Sequence, residues 1–385
     1  MQYYEPISIL EEIEGNSEMT YEQLGFLCGL IKERSPKKIV EVGVASGGTT
    51  AVILNAIKIL GLSTQMVSVD KMKRFYRDTD KNTGFMAEQF QRIYPGQVVW
   101  EKMTGYILPQ VIESIGKDID ILVLDTMHIL PGECLDFLVA LPFLASNAIV
   151  VLHDIAFHHI GKNKDAYATQ VLLNSVVAER IEPIECKEIC GYPNIGAFII
   201  NKDTRKYIAN VFGTLRLTWK YMVSKEEAKL YLDFYQRFYG EEYAIIMEQA
   251  YAMNEKTLVA YRKGEVRKEM AILSFFSNLK GKKIVIYGYG NYGKKVEFIL
   301  QKCEMPIYRI VVSNAVTINT NQNKIVHIGE IAEELGECFV VVAVGKQYQG
   351  EIVEELKKIK NTIYCLLEDE VIAYLDDWSE SDLCN

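Results

Sequence analysis

No stretch of this 385-residue chain approaches the run of about eighteen apolar residues that a membrane-spanning helix needs. Basic blocks are missing too. Nothing longer than short pairs such as Lys37-Lys38 occurs, and 42 Lys and Arg against 51 Asp and Glu leave a formal net charge of −9. A protein that reads phosphate backbones needs a basic footprint, so nucleic acid is excluded as the main partner. The amino terminus, MQYYEPISILEEIEG, is acidic and has no basic segment leading into an apolar one, so no secretory leader is expected and the cytoplasm is the default compartment. The eight cysteines are scattered at 28, 134, 186, 190, 303, 338, 365 and 384; only Cys186 and Cys190 lie close, and no second pair completes a zinc set. Reduced thiols of a cytosolic protein are the expectation. Histidine is scarce as well: there are five, and four of them fall between 128 and 159.

What is present is globular. Apolar residues make up 49% and charged residues 24%, enough to fill two cores over this length. In the first 200 residues, short β-branched runs alternate with helical stretches. KKIVEVG (37–43), QMVSVD (65–70), QVVWEKM (97–103), DILVLD (120–125) and NAIVVLHD (147–154) read as buried strands, and GAFIINK (196–202) as a late strand at the sheet edge. Helix-like segments such as GGTTAVILNAIKIL and LPGECLDFLVALPFLA separate them. Continuous apolar strands interleaved with helices predict an α/β fold: a doubly wound, mainly parallel sheet covered on both faces, over residues 1–202. From 203 to 278 the pattern turns helical, and Leu230, Tyr231, Phe234, Tyr235, Phe238 and Tyr239 form one apolar stripe. Such a stripe serves a core or a subunit interface, so a homo-oligomer stays open. A second, smaller α/β series occupies 279–385, making 203–278 a helical connector.

The segment IVEVGVASGGTT places Glu41, Gly43, Gly47 and Gly48 where the first strand runs into the first helix. Glycines there admit a ligand close to the backbone, and the helix start offers free N–H groups. A phosphate-binding P-loop would end in Gly-Lys-Ser/Thr, whereas this stretch has Gly-Gly-Thr; a dinucleotide turn would have glycine at Ala45. The remaining pattern, acid-x-Gly-x-x-x-Gly, resembles motif I of the class I S-adenosyl-L-methionine (SAM)-dependent methyltransferases. The resemblance implies that the amino-acid end of SAM lies along this turn. Asp70, at the tip of the second strand, is where a carboxylate would accept both ribose hydroxyls, although it could equally cap a helix. The adenine pocket is expected around Met103 and Thr104.

Asp125 ends the fourth strand and Asp154 the fifth, and strand carboxyl ends in such sheets face the ligand crevice. His128 follows Asp125 by three residues and His153 precedes Asp154. Neighbouring carboxylates repel unless a proton or cation lies between them. Oxygen ligands suit Mg²⁺ or Ca²⁺, and imidazole nearby opens the choice to Mn²⁺ or Fe²⁺. DTMH followed by VVLHD is similar to a group of metal-dependent sugar O-methyltransferases that includes macrolide-sugar enzymes, with cephalosporin-hydroxylase-type proteins as more distant relatives. Carried over by position, the resemblance makes Asp125 and Asp154 metal ligands, His153 a third ligand and His128 the catalytic base beside Asp125. The chain departs from that group in carrying Thr126 where many members have glycine, and a His-Asp rather than an acidic dyad. Taken singly, Asp125 reads as a helix cap and His128 as a satisfied core imidazole. His158 and His159 fall in a loop and read as ordinary exposed residues.

The second series opens with VIYGYGNYG, whose Gly288, Gly290 and Gly293 form G-x-G-x-x-G between strand and helix. Ser313 and Asn314 stand where a ribose-binding acid belongs. The unit resembles the short Rossmann-like domains attached to enzymes of bacterial surface-sugar biosynthesis, where the turn holds a nucleotide or nucleotide-sugar or serves only the fold. The expectation is therefore a cytoplasmic SAM-dependent O-methyltransferase, divalent-metal assisted, acting on a sugar, glycoconjugate or related small hydroxylated acceptor in carbohydrate biosynthesis. Two alternatives remain: an NAD(P)-dependent oxidoreductase or epimerase centred on the second glycine turn, and a non-catalytic binding protein on a methyltransferase scaffold.

Overall fold

A computed structural model describes residues 2–160, 163–183, 189, 191–313 and 325–377. Cys186, Cys190, Cys384 and Asn314 lie outside the described residues. Two compact units result, Met1–Leu258 and Val259–Asn385.

The first unit contains β1 (Lys38–Val42), β2 (Gln65–Asp70), a small hairpin of β3 (Arg74–Phe75) and β4 (Asp78–Asn82), β5 (Val99–Thr104), β6 (Ile119–Leu124), β7 (Leu144–His153), β8 (Glu179–Ile181) and β9 (Ile195–Ile199). Seven of these form one sheet in the order β5-β2-β1-β6-β7-β9-β8. The run from β5 to β7 is parallel, while β9 is antiparallel to both β7 and β8. This is the doubly wound, mainly parallel plan that the alternating runs predict. β9 is not the edge strand expected from GAFIINK, because β8 pairs outside it. Its three residues, Glu-Arg-Ile, carry too short a pattern to read from sequence.

Successive strand residues point to opposite faces, so β1 and its neighbours feed two cores. Val40, Val42, Leu122, Leu124, Val150 and Leu152 face one, and Ile39, Ile121, Val123, Ile149 and Val151 face the other. The second core is closed by helix Tyr21–Arg34, which Thr20 starts as an N-cap paired with Gln23 in a capping box. The first core is closed by helix Gly132–Ala140 and by chain that the sequence assigns to a connector. Phe212, Trp219, Tyr231, Phe234 and Tyr235 all belong to it. The Tyr235 hydroxyl donates to the Leu135 carbonyl at 3.2 Å and that of Tyr239 to Leu138 at 2.5 Å. Residues 203–258 are therefore part of the first unit, because the aromatic stripe on helix Lys225–Phe238 is buried against it. Helix Glu241–Ser277 runs across the boundary between the units.

The second unit holds five parallel strands, β10 (Ile284–Tyr287), β11 (Ile307–Val312), β12 (Ile325–His327), β13 (Phe339–Val342) and β14 (Ile363–Leu366), in the order β12-β11-β10-β13-β14. The glycine turn lies between β10 and helix Asn291–Lys302, as its motif predicts. A Cβ on Gly293 would sit 2.0 Å from the Gly288 carbonyl oxygen, so helix-on-turn packing requires this glycine. At the tip of β11 the Ser313 hydroxyl is engaged by Tyr287, at 2.7 Å, and by Glu355.

Phe234 is fully buried in the first core. Phe234→Ala should lower the stability of the first unit by about 3–5 kcal/mol, measured by urea unfolding followed by tryptophan fluorescence. A loss below about 1 kcal/mol would mean that helix Lys225–Phe238 merely rests on the surface.

Candidate active site

A cavity of about 640 Å³ opens at the carboxyl ends of β1, β2, β6 and β7. Its cofactor-side wall is the first glycine turn. The Gly43 backbone has φ +92°, and a Cβ there would lie 1.8 Å from the Asp125 carbonyl oxygen. The turn and the tip of β6 thus touch backbone to backbone. Gly43 and Gly48 line the cavity; Gly47 does not, and its Cβ would strike Gly84 at 2.8 Å. Glu41 is buried beneath the turn and accepts from Thr50 Oγ1 at 2.6 Å and Ser68 Oγ at 2.8 Å. Burial pushes its carboxyl up to about 8 against the pull of those two hydroxyls, with the Asp125 and Asp70 charges adding to the rise.

Asp70 lines the cavity and caps no helix. Its Oδ2 accepts from the Val44 and Ala45 amides at 2.8 and 3.2 Å, and its Oδ1 from Met72 at 2.7 Å. The residue stitches the turn to β2, and three of its roughly four acceptor positions are already in use. Thr104 lies opposite Asp70 in the sheet register but does not reach the cavity, whose wall on that side is Tyr106, Ile107 and Leu108.

The floor is the acid–imidazole cluster. His128 Nε2 lies 3.1 Å from Asp154 Oδ2 and 3.5 Å from Asp125 Oδ1, between the two strand tips. Its Nδ1 is 3.2 Å from Glu133 Oε1 but is not aligned as a full hydrogen bond. Glu133, fully buried, also accepts from the His128 amide at 2.7 Å and from Thr126 Oγ1 at 2.8 Å. His153 lies behind Asp125 rather than on the cavity wall: Nδ1 is 2.9 Å from Asp125 Oδ1 and Nε2 is 3.1 Å from Gln23 Oε1. Asn194 Nδ2 holds the other Asp154 oxygen at 2.5 Å. Ala45, His128 and Asp154 all adopt left-handed backbone, with φ between 49° and 59°. Residues in that region are uncommon and cluster at sites where the surroundings hold them.

Electrostatics follow from this crowding. Burial alone would push His128 down, but Glu133, Asp125 and Asp154 outweigh it and raise the imidazole to about 9. Burial raises Asp125, but the two imidazoles hold it below the usual carboxylate range. The donor set fits a divalent cation: ligand atoms of Asp125, His128 and His153 lie within 4.8 Å of one another, two nitrogens and one oxygen.

The sequence-predicted residues Glu41, Gly43, Gly48, Asp70, Asp125, His128 and Asp154 all reach this cavity. His158 and His159 do not; Phe157 beside them does. Sequence reasoning missed Gln23, Glu133, Asn194 and the acceptor-side wall of Lys71, Asp136, Tyr221, Glu227 and Tyr231. A signal for two of them exists: Glu133 and Asp136 interrupt an otherwise apolar helix three residues apart, and buried acids are rarely left in a core without a task.

The acid-x-Gly-x-x-x-Gly bend and the acid at the next strand tip thus stand side by side in one doubly wound sheet. Residues 40–155 match the family model described as "Methyltransferase domain". No curated protein matches the chain. Among solved structures, the O-methyltransferase TomG of Streptomyces achromogenes, involved in tomaymycin synthesis and bound to SAM, is similar at 17% identity, over 51% of this chain and 87% of that one, with a TM-score of 0.37. An O-methyltransferase from Bacillus cereus bound to SAH is similar at 14%, over 50% and 90%, with a TM-score of 0.37. An SAH-bound methyltransferase from Podospora anserina follows at 11%, over 53% and 90%, with a TM-score of 0.37. Nothing about acceptor or mechanism follows from likeness at this level. Among the described residues no helix is long and apolar enough to cross a membrane.

The Glu41 carboxyl titrates near 4.5 in the unfolded chain and near 8 in the fold, so the folded form binds more protons between those values. Its contribution is present below about pH 4.5 and is lost as pH rises through about 8. Glu41→Gln should therefore gain on the wild type by up to about 1.4 kcal/mol per pH unit across that window, read from chemical unfolding at several pH values. A pH-independent difference would show that Glu41 is ionised in the fold.

Proposed function

We propose that this chain transfers the methyl group of SAM to a hydroxyl oxygen of a sugar or glycoconjugate, with help from a divalent cation. The observation that carries the reading is the placement of His128 Nε2 between Asp125 and Asp154, on the floor of the cavity whose wall is the glycine bend. The sulfonium supplies its own leaving group, so the protein's tasks are positioning and removal of the acceptor's proton. The acceptor oxygen bonds to the methyl carbon, the carbon–sulfur bond breaks to leave the neutral thioether, and the acceptor proton passes to His128 Nε2. Asp125, Asp154 and His153 are the proposed cation ligands. Bound there, a divalent ion would lower the pKa of the acceptor hydroxyl and offset the carboxylate field that otherwise keeps His128 protonated. Glu41, Gly43, Gly47, Gly48 and Asp70 form and brace the bend that receives SAM, and Tyr106 takes the place at the adenine edge that Thr104 does not reach.

The acceptor half supports a polyol. Asp136 and Glu227 offer carboxylates to hydroxyl groups, and Tyr106, Tyr221 and Tyr231 offer rings against the C–H face of a sugar. The oxidoreductase alternative loses ground, because Ser313 stands where a ribose-binding acid belongs and is engaged by Tyr287 and Glu355.

Three measurements test the reading. Calorimetric titration should show SAM binding and no NAD binding; the reverse would restore the oxidoreductase. Labelled SAM with a panel of nucleotide-sugars and glycans should give methyl transfer that EDTA abolishes and Mg²⁺ or Mn²⁺ restores; activity indifferent to chelation removes the cation. His128→Ala should lower turnover by about 10²–10⁴-fold with SAM affinity retained. Equal losses in both would make His128 a structural residue only.

A further inference from the structure

The capping residue of the amino-terminal helix reaches into the cluster. Gln23 is 2% exposed and sits in the first turn of helix Tyr21–Arg34. Its side-chain oxygen accepts from the Thr20 backbone amide at 2.8 Å. A backbone N–H can only donate, so the atom facing it is the amide oxygen and not the nitrogen. That same oxygen lies 3.1 Å from His153 Nε2. An oxygen already identified as an acceptor obliges Nε2 to carry the hydrogen. In the neutral ring, Nδ1 then presents its lone pair, and Nδ1 points at Asp125 Oδ1 from 2.9 Å. A lone pair facing a carboxylate oxygen at that distance calls for a proton or a cation between them; a proton there makes the ring an imidazolium, and a bound metal ion takes that proton's place.

The His128 ring is held differently. Its Nδ1 faces the acceptor-only Glu133 carboxylate at 3.2 Å, leaving Nε2 toward Asp154 and Asp125 at 3.1 and 3.5 Å. The Glu133 contact is not aligned as a full hydrogen bond, so the outward nitrogen is held by an acceptor at His153 and not at His128, which keeps its role as the base. Acceptors that hold the far nitrogen of a ligating histidine fix its tautomer and orientation and raise its basicity.

We infer that Gln23 is a positioning residue that presents His153 Nδ1 as a metal donor, so that this site takes an imidazole-seeking ion of the Mn²⁺, Co²⁺ or Zn²⁺ class in preference to Mg²⁺. The inference rests on the functional reading above and refines its cation. All-oxygen sites suit Mg²⁺ and Ca²⁺, whereas imidazole nitrogen favours the first-row transition ions. With His128 kept as the base, the His153 nitrogen joins the Asp125 and Asp154 carboxylates in a mixed nitrogen–oxygen set rather than an all-oxygen one. The Gln23 oxygen serves two donors, so helix capping and ring orientation share one atom.

The test is direct metal binding to EDTA-stripped full-length protein, followed by the Mn²⁺ paramagnetic resonance signal with Mg²⁺ as competitor. Mn²⁺ should bind at one site and resist displacement by equimolar Mg²⁺. Gln23→Met, which has no acceptor, should weaken Mn²⁺ binding by about 10–100-fold. Gln23→Glu, which keeps the acceptor oxygen and the capping pair, should restore most of it. Mn²⁺ affinity unchanged in Gln23→Met, or Mg²⁺ competing on equal terms, overturns the inference. Should Gln23→Met fail to fold, histidine-ring ¹⁵N spectra of the Zn²⁺-loaded wild type decide instead. A ligated Nδ1 with a protonated Nε2 on His153 upholds the inference, and a ligated Nε2 ends it. Failure of the wild type to bind SAM would reject the methyltransferase chemistry while leaving the metal result standing.

Discussion

Negative charge concentrated in a dry place is the constraint around which this molecule is organised. Asp125 and Asp154, at the cavity floor, and the fully buried Glu133 surround two buried imidazoles, and Glu41 and Asp70 stand just beyond. At such burial a carboxylate is tolerable only beside donors or a compensating positive charge. Every unusual local feature serves that end. Asn194 and Thr126 donate to the acids, and the left-handed turns at His128 and Asp154 aim the groups at one another. The glycine bend closes on this cluster through main chain alone, since the Asp125 carbonyl fills the place of a Gly43 side chain. Cofactor bend and acid site are therefore a single rigid assembly with no rotamer between them.

The helices after residue 203 complete the cavity. Tyr221, Glu227 and Tyr231 line the side opposite the glycine bend, and Phe234 and Tyr235, on the same helix as Tyr231, anchor it in the core. Lys71 ties the two sides together: its ammonium meets Glu227 at 2.6 Å and the Tyr221 hydroxyl at 2.9 Å, one residue after the strand that ends in Asp70. Burial and the Glu133 charge push Asp136 up to about 7, so near neutrality this wall offers a carboxyl that can donate as well as accept.

Much of this was legible in the residues themselves. Runs such as VEV and ILVL alternate faces of a sheet buried on both sides, which is a local property of the chain. The acid-x-Gly-x-x-x-Gly bend is also local, because the glycines answer to backbone geometry within a few residues. What lies far apart in sequence was not legible. Gln23 reads as half of a capping box, and only the fold brings its oxygen to a histidine 130 positions away. Thr104 sits at the expected strand end, yet the cavity wall begins two residues later at Tyr106, after the strand has ended. The stripe from Tyr231 to Tyr239 announces a buried face without saying against what, and the answer is helix Gly132–Ala140. Periodicity reports that a surface is covered; it carries no information about the cover.

That cover has an evolutionary consequence. The glycine-bend half of the cavity is built from strand tips whose spacing any insertion would spoil, whereas Tyr221, Glu227 and Tyr231 opposite it, beside Lys71 and Asp136, come from a later segment packed on the finished sheet. Descendants of such a scaffold can exchange that segment and its aromatic fringe by recombination, reshaping one wall of the cavity while the strand tips are inherited intact.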